Sequence, residues 1–310
     1  MRQTGGSAQS RALAFALLLA VVMVWGCTFS VVKDALADAS PLLFNFLRFA
    51  TAALLLLAVS YRGLRSPSRA SVIGGMIAGG LLAAGYELQT AGLARTSTIH
   101  SAFITGLVVV FVTLLSYVPR LRAAGHEQPR GRVLLGAATA FAGLFLITTP
   151  AGTALGAVFS TIGLGDLLTM GCAVAFAGHL LSLSRLAHLR AGQLAPMQVA
   201  FCAVVMAVCL PFGGCPVLHA TPRLMVALAI TSCLATAGAF FVQTWAQQHL
   251  PATTTAMVLT MEPVFALGFS MLFRGERLGM RAGVGAGLIL AGIAVTELSS
   301  PTSPAAFEPG

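Results

Sequence analysis

Apolar residues fall in long runs separated by short clusters of Pro, Gly, Arg and polar residues. A bilayer crossing takes about 20 predominantly apolar residues as a helix. The pattern therefore predicts ten spans, near 12–32, 41–60, 71–92, 97–118, 132–150, 164–186, 195–213, 222–246, 251–273 and 278–298. Pro41, Pro196, Pro222 and Pro251 are expected at helix starts, where a missing N–H costs least. The tail 299–310 has no apolar period and reads as disordered.

Composition narrows the class. Of 310 residues, 57% are hydrophobic and 9% charged, against about 25% charged in an ordinary soluble domain. The mean hydropathy of +0.89 excludes a soluble enzyme and a disordered chain, and the expected fold is an all-α polytopic membrane protein. The excess of 18 Lys+Arg over 9 Asp+Glu would suggest nucleic acid in a soluble protein. Here the run Pro119–Arg132 reads instead as a cytoplasmic loop, because basic residues resist translocation. The six cysteines form no C-x-x-C pair and read as small packing residues.

The opening of the chain has the basic-then-apolar form of a signal peptide. Its apolar run is long for one, and Trp25 stands where cleavage before Cys27 would want a small residue, so it reads as the first span. With the N-terminus inside, Arg2, Arg11, Arg62, Arg65, Arg69, Arg120, Arg122, Arg130 and Arg132 are cytoplasmic, and only Lys33 and Arg95 of the first half lie outside. Arg223, Arg274, Arg277 and Arg281 of the second half run against the rule, and the first-half bias is taken to decide. The expectation is a multi-pass protein of the cell membrane, of the bacterial inner-membrane kind, with both termini cytoplasmic.

Laid side by side, the halves repeat. Leu88–Gln89–Thr90 recurs as Val242–Gln243–Thr244; Pro41 and Phe46 match Pro196 and Phe201; Thr98 and Thr105 match Thr253 and Thr260. Five spans per copy is an odd number, so the second copy enters the membrane inverted. The expected units are 1–155 and 156–298. Inverted repeats are a transporter architecture, with the solute site near the midplane between the halves.

The chain resembles the drug/metabolite transporter superfamily, as a ten-helix protein of two EamA-type repeats. The resemblance rests on WGCTF (Trp25–Phe29), NFLRF (Asn45–Phe49), GYELQTAGL (Gly85–Leu93), TSTIHSAFITGL (Thr96–Leu107), MEPVFA (Met261–Ala266) and the pair Gly275–Glu276, in that order. It implies a secondary transporter, often a metabolite or amino-acid exporter, whose cavity is lined by helices one to four and six to nine, with helices five and ten as scaffolding. Val108 stands where the second half has Pro263, so one half alone carries the proline break.

Ionisable residues within spans cost about 2.5–3.5 kcal/mol on insertion scales and are functional candidates by default. Arg48 and Glu87 lie in the outer half of neighbouring spans and are expected to pair; Arg48 also suits a carboxylated solute through its planar fork. Glu87 reads as a proton-coupling or solute-binding carboxylate, or as a structural partner. Glu262 beside Pro263 places a carboxylate at a helix break, where freed carbonyls can face a cavity. His179 can relay protons or pack through a hydrogen bond. Trp25, Thr28, Tyr86, Gln89 and Gln243 supply aromatic, hydroxyl and amide groups for a cavity wall, the glutamines serving alternatively as interhelical hydrogen-bond glue.

No H-E-x-x-H, G-x-S-x-G or phosphate-binding loop occurs, and no carboxylate cluster suggests a metal. The expected cofactors are none, with the proton as a candidate coupling ion. The expected partners are a small-molecule solute and the lipid bilayer, without nucleic acid, in a monomer or homodimer. The alternatives are an intramembrane lipid-modifying enzyme using His100 or His179, and an uptake permease of the same fold.

Overall fold

The structure, a computed structural model, describes residues 8–96, 101, 104–122, 131–148, 163–213, 215–262, 264–266, 268–269 and 279–297. Pro263, His100, Arg274, Glu276, Arg277 and the tail after Ser299 lie outside these residues, as does most of the Pro119–Arg132 loop.

The described elements are helices: α1 (Ala8–Ala35), α2 (Pro41–Ser60), α3 (Arg69–Leu93), α4 (Val108–Leu115), α5 (Gly131–Thr148), α6 (Leu164–Arg185), α7 (Ala191–Cys209), α8 (Pro222–Ala246), α9 (Ala252–Leu259) and α10 (Met280–Glu297). Six of them, α1, α2, α3, α6, α7 with its short continuation to Phe212, and α8, are long and apolar enough to cross a membrane. Apolar side chains such as Leu54, Val59, Val208 and Leu234 point outward, as a surface solvated by lipid tails requires. The protein is a multi-pass helical membrane protein.

Local chemistry sets the helix starts. Pro41 and Pro222 open α2 and α8, where their absent N–H is one that no carbonyl would accept. Ser68 Oγ accepts from Ser71 N at 3.0 Å and Thr221 Oγ1 from Leu224 N at 3.1 Å, capping α3 and α8. Pro196 departs from expectation: α7 begins at Ala191, so Pro196 lies inside the helix. Arg190 in extended conformation starts the helix early, and the residue four back from the proline is Gly192.

Three extensive pairings organise the bundle. The helices α5 and α10 pack on one another, while α3 lies between α6 and α7; α2 leans on α7, α1 on α8, and α4 on α6 and α9. Phe49, Leu82, Tyr86, Val199, Cys202, Met206 and Phe240 form one buried cluster where α2, α3, α7 and α8 meet. A Cβ at Gly79 would overlap the Gln198 carbonyl oxygen, so glycine is what lets the α3 and α7 backbones approach this closely.

Hydrogen bonds tie loops across the bundle at both ends. At one end, the α1–α2 connection meets the α7–α8 connection. Asp38 Oδ2 accepts from Thr221 Oγ1 at 2.7 Å and from Arg223 Nε at 2.9 Å, His219 N donates to Asp38 O at 2.7 Å, and Ala39 and Leu218 form an isolated bridge. At the other end, Gln193 near the start of α7 meets the α2–α3 connection: its Nε2 donates to Gly63 O at 2.9 Å, and its Oε1 accepts from Ser71 Oγ at 3.0 Å.

The first tie is ionic and the second neutral. The Thr221 hydroxyl and the Arg223 guanidinium, both donating to Asp38, hold its carboxyl below the ordinary aspartate range. A depressed folded-state pKa stabilises above the unfolded value of about 4 and is lost as pH falls through the folded value. Asp38→Asn is therefore expected to lower the melting temperature at pH 7 and to flatten its decline on acidification towards pH 3; an unchanged thermal profile across that range would remove the tie from the stability of the fold.

Candidate functional site

A cavity of about 80 Å³ lies inside the bundle, several times the roughly 10–15 Å³ that admits one water. Its wall draws on α1 (Trp25, Thr28), α2 (Arg48), α3 (Tyr86, Gln89), α6 (Phe176, His179), α8 (Phe240, Gln243) and Glu262 beyond α9. Eight of the ten residues expected from the sequence thus face one space. Glu87 is absent from that wall, and Pro263 lies outside the described residues.

Arg48 is the central charge. Only 4% exposed, it points into the bundle and not to an interface. Its Nε donates to Thr236 Oγ1 at 2.6 Å, and its Nη2 to Ala235 O at 3.1 Å and Tyr86 Oη at 3.4 Å; the guanidinium also lies 4.7 Å from the centroid of the Tyr86 ring. All three acceptors are neutral, so the guanidinium is held in place without being neutralised. A planar fork in this setting is suited to a carboxylate or phosphate.

The acceptors come from a local irregularity. Residues Cys233–Gly238 in the middle of α8 form a π-helical turn, a rare widening that recurs at functional sites. Ala235 O accepts from Trp25 Nε1 at 2.8 Å as well as from Arg48, so α1 and α2 converge on this turn. Trp25 is brought close by its neighbour: a Cβ at Gly26 would lie 2.5 Å from the Glu262 carbonyl oxygen. The Gly26 backbone thus packs directly against the segment that carries Glu262.

The expected pairing of Arg48 with Glu87 is corrected. Arg48 turns towards α8, whereas Glu87 Oε1 accepts from Asn45 Nδ2 at 3.1 Å. Asn45 Nδ2 also donates to Tyr86 O, and Asn45 Oδ1 accepts from Thr90 Oγ1 at 3.2 Å. Neighbouring positions on one helix point in different directions, and Tyr86, which precedes Glu87, is the α3 residue that reaches Arg48.

His179 Nε2 lies 2.8 Å from Gln198 Oε1, and Gln198 Nε2 donates to Thr244 Oγ1 at 2.6 Å. With its amide nitrogen committed to Thr244, Gln198 offers the histidine its oxygen, so His179 Nε2–H is the donor. Gln89 Nε2 donates to Thr105 Oγ1 at 3.4 Å, and Gln243 Nε2 to Gln247 Oε1 at 3.5 Å. Thr28 Oγ1 donates to Trp25 O at 2.9 Å.

Sequence reasoning missed the residues that position these groups. Asn45 and Thr236, the supports of Glu87 and Arg48, are a neutral amide and a hydroxyl among apolar neighbours and carry no charge signal. Phe176 and Phe240 looked like ordinary apolar residues, yet their rings lie 5.3 Å and 5.9 Å from that of Tyr86. Nothing in the stretch Cys233–Gly238 announces a π turn. The available signal was the threonine in each repeated Gln–Thr pair: Thr90 binds Asn45 of α2, and Thr244 binds Gln198 of α7.

A charged, aromatic-lined cavity thus lies among the membrane-spanning helices of a polytopic membrane protein. The comparisons agree. The model of the EamA-like transporter family matches twice, at residues 12–149 and 163–298, and the chain belongs to that family. An uncharacterized transporter of Archaeoglobus fulgidus is 27% identical over 299 residues, covering 96% of this chain and 90% of the relative. A solved crystal structure aligns with a TM-score of 0.73 at 18% identity, covering 93% of this chain and 97% of the other; it bears on the fold alone.

Removing the Thr236 hydroxyl leaves a buried guanidinium N–H without its acceptor. Thr236→Val is expected to cost about 1–2 kcal/mol of stability, read as a lower melting temperature in detergent, while Thr236→Ser keeps the acceptor and most of the stability. Equal melting of the two variants would mean that the Arg48–Thr236 bond does not hold the site.

Proposed function

We propose that the protein is a secondary transporter that exports small polar or amphipathic solutes, amino-acid-like compounds among them, by alternating access around the central cavity. The observation that carries this reading is Arg48, a buried cation whose described bonds go only to neutral oxygens in an aromatic-lined space. A charge at this depth is costly, and a solute anion is the counter-charge that would offset it. Trp25, Thr28, Tyr86, Gln89, His179, Gln243 and Glu262 would form the rest of the binding wall. Pro263 would supply the helix break beside Glu262, and Glu87, outside the wall, would be a coupling site for protons.

Ten spans in two inverted repeats suit the packing. The contact of α3 with α6 has a counterpart in that of α8 with α1; α3 with α7 in α8 with α2; α4 with α6 in α9 with α1. Each follows from the other on moving five helices along the chain, as a two-fold relation between units 1–155 and 156–298 requires. The arginine bias would set the Gln193 end in the cytoplasm and the Asp38 end outside. Export, and not uptake, follows the family resemblance, and the His179–Gln198 bond supports an orienting role for His179 over catalysis of lipid modification.

The reading is tested by access. In a chain with its native cysteines replaced, Thr28→Cys should react with a membrane-impermeant thiol reagent applied to either face of oriented proteoliposomes. Adding a solute mixture should change the ratio of the two rates at least twofold. Reaction from one face alone under every condition would exclude alternating access.

A further inference from the structure

The two ends of the bundle treat their cations differently. At the Asp38 end, Lys33 Nζ donates to Leu93 O and Thr96 O, Arg95 Nη1 to Ala91 O at 2.8 Å and Arg281 Nε to Leu146 O at 3.3 Å, while Arg223 pairs with Asp38. Each described Lys or Arg there is bonded to protein oxygen, and Asp34, Asp38 and Asp166 add negative charge.

At the Gln193 end, Arg62, Arg65 and Arg69 between α2 and α3, and Arg185 and Arg190 between α6 and α7, are exposed. Arg65 lies over the Tyr61 ring, 4.9 Å from its centroid, and donates to Tyr61 Oη. The other four guanidinium groups donate to no described residue, and neither 60–71 nor 185–193 contains an aspartate or glutamate. The bias of basic residues to one side of a membrane accounts for their number, but not for their lack of a counter-charge.

Packing sets the two groups of arginines around one contact. Gln193 Nε2 donates to Gly63 O, beside Arg62, and Gln193 Oε1 accepts from Ser71 Oγ, two residues from Arg69. Gln193 N in turn donates to Arg190 O at 2.9 Å. Leu186, beside Arg185, covers Gly74 of α3, where a Cβ would lie 3.0 Å from Leu186 Cδ2.

The surroundings identify the kind of partner. Val59 in the last turn of α2 and Ile73, Met76 and Ile77 in the first turns of α3 expose apolar side chains at the same end. Tyr61 stands beside the arginines, as amphipathic rings do at headgroup level. A free phosphate would satisfy the arginines alone, whereas a phospholipid also covers the apolar surface. Phosphatidylcholine carries its own cation; an acidic phospholipid brings net negative charge to a patch that has none.

We propose that this end binds the headgroup of an acidic phospholipid, whose phosphate bridges the arginines of 62–69 and those of 185–190 and fastens the Gln193 tie closed. Guanidinium forks suit phosphate oxygens bidentately, and basic pockets between spanning helices take such headgroups. The two segments belong to different halves of the chain, so one bridging lipid joins the halves. The fastening rests on the alternating-access reading above; the binding does not.

The test uses the purified full-length protein, delipidated in detergent and given phosphatidylglycerol, phosphatidylcholine or inorganic phosphate at equal concentration, with bound species counted by native mass spectrometry. The population holding one phosphatidylglycerol is expected to exceed that holding one phosphatidylcholine at least fivefold. Arg62→Gln with Arg69→Gln, or Arg185→Gln with Arg190→Gln, should each bring that ratio close to one. Arg95→Gln with Arg281→Gln, which removes the same charge from the other end, should leave it unchanged. In oriented proteoliposomes, phosphatidylglycerol should slow labelling of Thr28→Cys from the Gln193 face at least twofold, and not in either of the first two double variants.

Equal binding of the two lipids would overturn the proposal, as would phosphate binding as well as phosphatidylglycerol, which marks a site for soluble anions. A preference lost equally in the Arg95 and Arg281 variant would reduce it to net charge. A preference kept by either of the first two variants would mean that no headgroup bridges the halves. Labelling that reaches both faces but ignores the lipid would overturn the fastening and leave the transport reading standing. Labelling from one face alone would exclude alternating access, and the lipid bridge would then be decided by the mass spectra.

Discussion

The Ala235 carbonyl is the point on which the site depends. It accepts from Trp25 of α1 and Arg48 of α2 within a π turn of α8, so three helices share one oxygen and its immediate neighbour Thr236. A regular α-helix offers few backbone groups to outside donors, because its interior carbonyls are engaged along the axis. The widened turn changes the register locally and lets α8 receive side chains from two other helices. Arg48 is thereby held at depth without a carboxylate beside it, and its charge stays available to the cavity. An ion pair with Glu87 would have held it as well, but would have neutralised it.

The repeated Gln–Thr pair divides its labour in both halves. The threonine reaches the neighbouring helix, Thr90 to Asn45 and Thr244 to Gln198, and ties the third helix of each half to the second. The glutamine, one residue earlier and therefore about 100° around the helix, faces the cavity. A two-residue polar step thus serves packing and lining at once, in helices that are otherwise mostly apolar or small.

That step explains what could be read in advance. The apolar runs, the proline starts of α2 and α8 and the repeat all express periodicity, which the bilayer forces on any spanning segment. Charged and aromatic candidates such as Arg48, Tyr86 and Glu262 stood out because such residues are expensive or bulky in a membrane interior. Asn45, Thr236 and Gln198 did not, because a neutral polar residue in a span is common glue and its direction depends on packing that no local pattern encodes. The Arg48–Glu87 pairing failed for the same reason: depth along a helix follows from residue number, whereas azimuth relative to a third helix does not. Pro196 misled because proline marks a helix start only by preference, and the signal from Arg190 was weaker.

The two end ties bear on how such a cavity opens. Each joins a connection in the first half to one in the second, and each sits beside a capped helix start, Thr221 of α8 at one end and Ser68 of α3 at the other. Their chemistry differs: Asp38 with Arg223 is an ion pair on a side chain 54% exposed, while Gln193 with Ser71 and Gly63 is neutral. An exposed ion pair gains little net energy and weakens with salt, whereas the neutral bonds are insensitive to ionic strength. On the alternating-access reading, opening one end must break one tie and leave the other, so the conformational balance follows the difference between them. Of the two ties only that of Asp38 with Arg223 is an ion pair that salt and acid can weaken, and on that reading both would favour opening there. On the same reading, the asymmetry of the two ties would give the two ends different responses to the medium.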